Sequence, residues 1–271
     1  MEELSACLKK VREQSPLTLC LTNEVTINDC ANALLAVGAS PVMSGDAADA
    51  EALAALASAT VINTGTCNDY KLEIMLAAGR SAKKAGRPVL LDPVGVGATE
   101  VRRKICGRII EDIRPDIIRG NFSEIQALAG LSTEQKGVDS VANQDADSAA
   151  HLARDLSARL GAVVAVSGAV DVISDGRSVI FIAGGSPLMT KVTGTGCLLS
   201  AVMGAYAGAD PGRNLTAAAA AMSHLALAGE MAAEASSPAG ALGSFRVALF
   251  DHLSLITEED LANKKGVSRH D

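Results

Sequence analysis

Short aliphatic and β-branched runs alternate along this chain with longer stretches whose apolar residues recur every three or four positions. The short runs predict strands at Leu17–Leu21, Pro41–Met43, Thr60–Asn63, Pro88–Asp92, Asp116–Arg119, Ala162–Ser167, Val170–Ser174 and Ser178–Ala183. The longer ones predict helices over Asn28–Val37, Ala47–Ala57, Asp69–Ala85 and Glu100–Ile113, the first and third ending at Gly38 and Gly86. Strand–helix alternation of this kind argues for an α/β fold with a mainly parallel sheet covered on both faces. The later strands are closer together, and Asp175-Gly176 is a hairpin signal, so an antiparallel edge is expected. After Cys197 the pattern reads as entirely helical, through Asn214–Glu234 and Ala241–Leu255. Residues past Glu258 are highly charged and are expected to fray. Two polar stretches, Ser132–Asp147 and 236–240, do not separate unlike halves, so residues 1–271 read as one domain.

Composition narrows the function classes. Hydrophobic residues make up 48% of the chain but aromatics only 2%, with no Trp. The core must therefore be built from Ala, Val, Leu and Ile. A net charge of −7 without a basic block argues against nucleic acid or an anionic membrane as partner. No apolar segment reaches membrane-spanning length, the run from Leu215 being broken by His224 and Glu230, and the N-terminus carries no signal-like h-region. Six scattered cysteines with no Cys-x-x-Cys pair suit a reducing cytoplasm and disfavour a zinc site.

In an open parallel sheet, ligands bind beyond the carboxyl ends of the strands. The polar and glycine clusters fall there: Thr22-Asn23, Asn63-Thr-Gly-Thr66, Asp92-Pro-Val-Gly-Val-Gly97, Arg119-Gly-Asn121 and Ser167-Gly168. The most informative is Lys191-Val-Thr-Gly-Thr-Gly-Cys197, which runs into a small-residue apolar helix. Gly194, Thr195 and Gly196 would form a turn whose free amides and helix dipole favour an anion. Cys197 at its mouth is the candidate reaction centre, with a thiol expected to ionise more easily there. The plain alternative is a helix start with a buried cysteine. No Walker A sequence is present, and Gly95-Val-Gly97 lacks the third glycine of a dinucleotide fingerprint. Asp92 can hold Mg²⁺ or simply stabilise a turn. Glu124 can act on the cation through water or favour a helix start capped by Asn121 or Ser123. Arg119 can fork onto phosphate or make a surface ion pair. Met43 can wall a small heterocycle or fill a core gap.

Taken in order, Thr22-Asn23, Asn32–Met43, Asn63–Thr66, Leu91-Asp-Pro-Val-Gly-Val-Gly-Ala98, Arg119-Gly-Asn-Phe-Ser-Glu-Ile125, Gly137-Val-Asp-Ser140 and Thr190–Cys197 closely resemble the hydroxyethylthiazole kinase family. The resemblance spans nearly the whole chain from Leu17. It implies a ribokinase-like three-layer α/β/α sandwich and ATP-dependent phosphorylation of the primary alcohol of hydroxyethylthiazole, a thiamine salvage step. It further implies a homotrimer with active sites at subunit interfaces. Arg119 and Ser167 would contact ATP, Met43 and Gly194 the thiazole, Asp92 and Glu124 the Mg²⁺. Cys197 would take the place where most ribokinase-like enzymes have an aspartate base. The segment Ile182–Pro187 is expected over the nucleotide, and departs from the more polar Asn-Gly-His-like stretch of the family. The competing readings are another ribokinase-like kinase, such as one for hydroxymethylpyrimidine, and a binding protein that has lost turnover.

Overall fold

The computed structural model describes residues 1–131, 145–236 and 238–271. The motif Gly137–Ser140 lies outside the described residues. Among the described residues nine strands form one sheet: β1 Leu17–Leu21, β2 Ser40–Val42, β3 Ala59–Asn63, β4 Val89–Asp92, β5 Ile117–Asn121, β6 Val163–Ser167, β7 Val170–Ser174, β8 Val179–Ala183 and β9 Val267–His270. Their order across the sheet is β2-β1-β3-β4-β5-β6-β7-β8-β9. The pairings from β2 to β6 are parallel and those from β6 to β9 antiparallel. The predicted mainly parallel sheet with an antiparallel edge is therefore present.

The helices are α1 Glu2–Gln14, α2 Ile27–Val37, α3 Ala47–Leu56, α4 Asp69–Lys84, α5 Glu100–Ile113, α6 Phe122–Leu131, α7 Ala146–Leu160, α8 Thr195–Ala209, α9 Asn214–Ala235, α10 Leu242–Leu255 and α11 Glu258–Ala262. Alternation along each strand sends one set of side chains to each face. Cys20, Val61, Leu90 and Ile117 pack with α1, α2 and α8 to α11. Leu19, Ile62, Leu91 and Ile118 pack with α3 to α7. With so few aromatics, helices come close: a Cβ on Gly204 of α8 would strike the Val61 side chain of β3. That close seat fixes where α8 begins, over the carboxyl ends of the parallel strands.

The tail corrects the expectation of fraying and of an all-helical C-terminus. Thr257 and Asp260 cap α11 reciprocally, and Leu261 is fully buried. Residues Val267–His270 then pair with β8, Val267 opposite Ile182. The free edge of β8 offers unpaired backbone groups, and a following segment anchored by Leu261 is placed to take them. Charge along the tail reflects an exposed edge strand rather than a lack of structure.

Candidate active site

Register brings the candidates together before any side chain is considered. Asn63 lies opposite Asp92 across β3 and β4, and Asn121 opposite Ser167 across β5 and β6. Gly194, at φ +85°, caps α8, and the first intrahelical bond there runs from the Leu198 amide to the Gly194 carbonyl at 2.8 Å. The amides of Thr195, Gly196 and Cys197 therefore have no partner within the helix. A Cβ on Gly194 would come within 2.5 Å of Thr26 Cγ2, at the start of α2. Only glycine suits that position.

Cys197 is half-buried in the first turn of α8. Its sulfur accepts the Asn23 amide at 3.1 Å. Asn23 Nδ2 also donates to Asn63 Oδ1 at 3.1 Å, and Asn63 Nδ2 to Asp92 Oδ2 at 2.8 Å. Ser200, one turn beyond Cys197, donates to the same Asp92 oxygen at 2.8 Å. The thiol and the carboxylate are thus joined through two asparagines on one side and by α8 on the other.

Electrostatics here corrects the expected ionisation of Cys197. Burial, then the Asp92 charge, push the thiol up, opposed by hydrogen bonds from Asn63, Asn23 and Thr26. Asp92 is itself fully buried, and desolvation, with a smaller push from Glu124, raises it to about 6 against the pull of Arg119 and the hydrogen bonds from Ser200 and Asn63. Its Oδ1 is buried with no protein partner. That oxygen is the one unmet acceptor of the network, and a buried acceptor without a partner marks a place for a donor or a cation.

Glu124 does what the plain reading said, and more. Its Oε2 accepts the Asn121 amide at 2.9 Å while Asn121 Oδ1 accepts the Glu124 amide at 2.9 Å. This is a reciprocal cap at the start of α6, with Asn121 rather than Ser123 as the capping residue. Oε1 accepts the Gly95 amide at 2.9 Å, tying the Asp92–Gly97 loop to the end of β5. Each oxygen keeps a second lone pair.

Arg119 is 8% exposed, which excludes a surface ion pair. Its Nη2 donates to Ser167 Oγ at 2.7 Å. Both line a cavity of about 560 Å³ that also includes Thr195, Gly196, Gly184 and Gly185. Met43, Asp92, Glu124, Gly194 and Cys197 are not on its wall. Met43 stands half-buried just past β2 and packs on the core face that carries α1, α2 and α8 to α11. The structure therefore sorts the predicted residues into a roomy cavity over β5, β6 and β8, and a tight polar corner at the start of α8.

Sequence reasoning missed Asn63 as a linker, Ser200, and Asp171, which lines the cavity. A serine three positions after Cys197 on an apolar helix was the available signal for Ser200, since that spacing repeats one face.

The hydroxyethylthiazole kinase family profile matches residues 8–259. The chain belongs to that family. It is 42% identical to the hydroxyethylthiazole kinase of Desulfovibrio desulfuricans, over 97% of this chain and 96% of that protein. It is 41% identical to the hydroxyethylthiazole kinase of Methanocella arvoryzae over 96% of each chain. Among solved structures, hydroxyethylthiazole kinase from Pyrococcus horikoshii superposes with a TM-score of 0.90 at 36% identity, covering all of both chains. A Staphylococcus aureus pyridoxal kinase bound to ADP shares the fold at a TM-score of 0.60 and 12% identity. The chain is a kinase of that family, and nothing favours the pyrimidine kinase or the inactive binding protein. Among the described residues, no helix is long and apolar enough to cross a membrane.

Proposed function

We propose that the enzyme transfers the terminal phosphoryl group of ATP to the primary hydroxyl of 4-methyl-5-(2-hydroxyethyl)thiazole. The observation that carries this is Cys197 at the start of α8, held by Asn23 and linked through Asn63 to Asp92. A loose phosphoryl-transfer transition state needs positioning and charge neutralisation more than early proton removal. The free amides at Thr195, Gly196 and Cys197 supply the neutralisation, and they cost no reorganisation as charge develops. Arg119 and Ser167 hold the phosphates of ATP in the 560 Å³ cavity. Met43 and Gly194 face the thiazole.

A raised thiol is protonated at neutral pH, so Cys197 does not begin as a thiolate. It orients the hydroxyl, whose proton passes late, once the oxygen is bonding to phosphorus, to an oxygen of the transferred phosphoryl group, because a thiol that keeps its own proton cannot accept it. Asp92 Oδ1 fits a hard divalent cation such as Mg²⁺, because it is a buried oxygen with no other partner. Asp92 would hold the cation directly and Glu124 through water, and the cation would neutralise phosphate charge. Among the described residues there is no cage of three or more His, Cys, Asp or Glu. That suits an ion bound mainly by water and substrate phosphate.

The thiazole side is open, with Met43 outside the cavity and Val25, Ile27 and Leu35 of the neighbouring segment exposed. This supports a homotrimer in which a second subunit completes the substrate pocket. All six cysteines are free, which suits the cytoplasm. The deciding experiment incubates the chain with Mg·ATP and hydroxyethylthiazole and follows thiazole phosphate by mass spectrometry. Product that needs every component establishes the reaction. Tight thiazole binding without product would overturn it.

A further inference from the structure

The C-terminal turn between α11 and β9 reaches back to the rim of the 560 Å³ cavity through one side chain, Lys264. That side chain is 2% exposed. Its ammonium donates to Ala183 O at 3.1 Å, Lys265 O at 3.4 Å and Glu230 Oε1 at 3.4 Å. The same Glu230 oxygen accepts the Gly185 amide at 3.0 Å. Three acceptors meet the three ammonium protons, which is what a buried lysine requires. Helix α9, the tail and the exit of β8 are thereby joined at one point.

That point borders the lip of the cavity. Gly184 and Gly185 line it, at φ +134° and +84°. A Cβ on Gly184 would run into Glu230 Oε1 and lie 2.6 Å from Lys264 Nζ. Two successive glycines in the left-handed region hold no conformation by themselves. Ser186, next in line, has its hydroxyl occupied by the Leu188 amide at 3.2 Å. The lip's position must come from outside it. Glu230 and Lys264 are not on the cavity wall, so neither can act on a ligand by contact. The Lys264 charge also reaches Asp171 on that wall, where it opposes the burial that raises the carboxyl to about 6.

We propose that Glu230 and Lys264 form a clasp that positions the Gly184–Gly185 lip, so that nucleotide affinity is set from the C-terminal tail. The inference rests on assigning this cavity to ATP. The two residues are positioning residues, and their loss loosens ATP without altering the phosphoryl-transfer step.

The test measures kcat and KM for Mg·ATP and for hydroxyethylthiazole in Lys264→Met, Glu230→Leu and Glu230→Gln. Lys264→Met and Glu230→Leu should raise the ATP KM about tenfold with kcat and the thiazole KM little changed, the pattern of lost ground-state binding. Glu230→Gln keeps an acceptor for the Gly185 amide but not the charge, and should raise it about threefold. Because Glu230 is partly exposed and Gln is isosteric, that variant keeps the reading available should either of the others fail to fold. Lys264→Arg should restore much of the affinity. Arg119→Gln, on the cavity wall, separates the two levels of the argument. If it raises the ATP KM while folded clasp variants leave it unchanged, the clasp is wrong and the cavity assignment stands. If Arg119→Gln also leaves it unchanged, the nucleotide lies elsewhere and both fail.

Discussion

Ser200 Oγ donates to Asp92 Oδ2 at 2.8 Å, although 108 residues separate them in the chain. The bond ties the first turns of α8 to the end of β4 and saturates one carboxylate oxygen, with Asn63 as its second donor. It leaves Oδ1 as the carboxylate oxygen with no protein partner. The arrangement binds a charge in a fully buried position, where desolvation opposes it. Function and stability should therefore pull apart at this residue.

Asp92→Asn tests that separation. The amide oxygen can keep the bonds from Asn63 and Ser200, while the buried charge is gone. Turnover should fall by about two to three orders of magnitude, since the site loses its anionic ligand oxygen. Thermal stability at pH 7.5 should be unchanged or higher, by up to about 2 kcal/mol, as expected when a strained functional group is neutralised. A variant with parental turnover would remove Asp92 from the active site.

Cys197 carries a second pair of expectations. Cys197→Ala should lower kcat about a hundredfold or more while leaving the ATP KM within about twofold, because positioning of the hydroxyl is lost and the cavity is not touched. Cys197→Asp should preserve or raise turnover, and an inactive aspartate variant would sink the positioning role. The raised thiol adds a chemical readout: at pH 7 iodoacetamide should modify Cys197 more slowly than free cysteine. Faster labelling would show that burial and Asp92 do not govern the sulfur.

Much of this was readable in the sequence because the fold repeats a local rule. Each parallel strand ends in a polar or glycine residue or is followed by one within two positions, and the strand-end rule collects Asn23, Asn63, Asp92, Asn121 and Ser167 on one edge without any knowledge of contacts. The same rule is silent on direction. It could not show that both Glu124 oxygens take backbone amides, or that Asp92 lies close enough to raise Cys197. Ser200 and Lys264 were missed for another reason. One is a small polar residue on an otherwise apolar helix; the other sits in a charged tail whose composition resembles disorder. Both acquire their roles from partners more than 30 residues away, which periodicity does not encode.

Gly196→Ala isolates the cavity from the reaction centre. Alanine is the better helix former by about 1 kcal/mol, so α8 itself should tolerate it. Its Cβ would lie 2.7 Å from Arg119 Nη1, and the guanidinium must move. Arg119 is buried and already bonded to Ser167, so it has little room to give. The expected result is a near-parental melting temperature with an ATP KM raised about tenfold, read by initial rates against Mg·ATP. An unchanged KM would mean that Arg119 does not contact the nucleotide.

The last prediction concerns His224, far from the reaction. Its Nδ1 lies 2.7 Å from the Tyr206 hydroxyl and its Nε2 3.1 Å from the Leu253 carbonyl, all buried. A carbonyl only accepts, so Nε2 carries the proton and Nδ1 accepts from Tyr206. Protonating Nδ1 would make it the donor to the Tyr206 oxygen and leave that buried hydroxyl hydrogen without its acceptor. Burial accordingly lowers His224 to about 4 from 6.5, helped by Arg12 and opposed by the bond to Leu253. A histidine whose folded value is depressed leaves the unfolded chain binding the extra proton between those limits, so its contribution is full above pH 6.5 and is lost as pH falls towards 4. The shift corresponds to about 3 kcal/mol. Asp92 and Asp171, both raised to about 6, run the opposite way over much of this window, so the parent's own pH profile mixes the signs. The difference between parent and His224→Gln removes the shared terms. In urea unfolding from pH 7.5 to pH 4, the parent should lose about 3 kcal/mol relative to the variant, and parallel curves would show that His224 does not titrate between the folded and unfolded chain as argued.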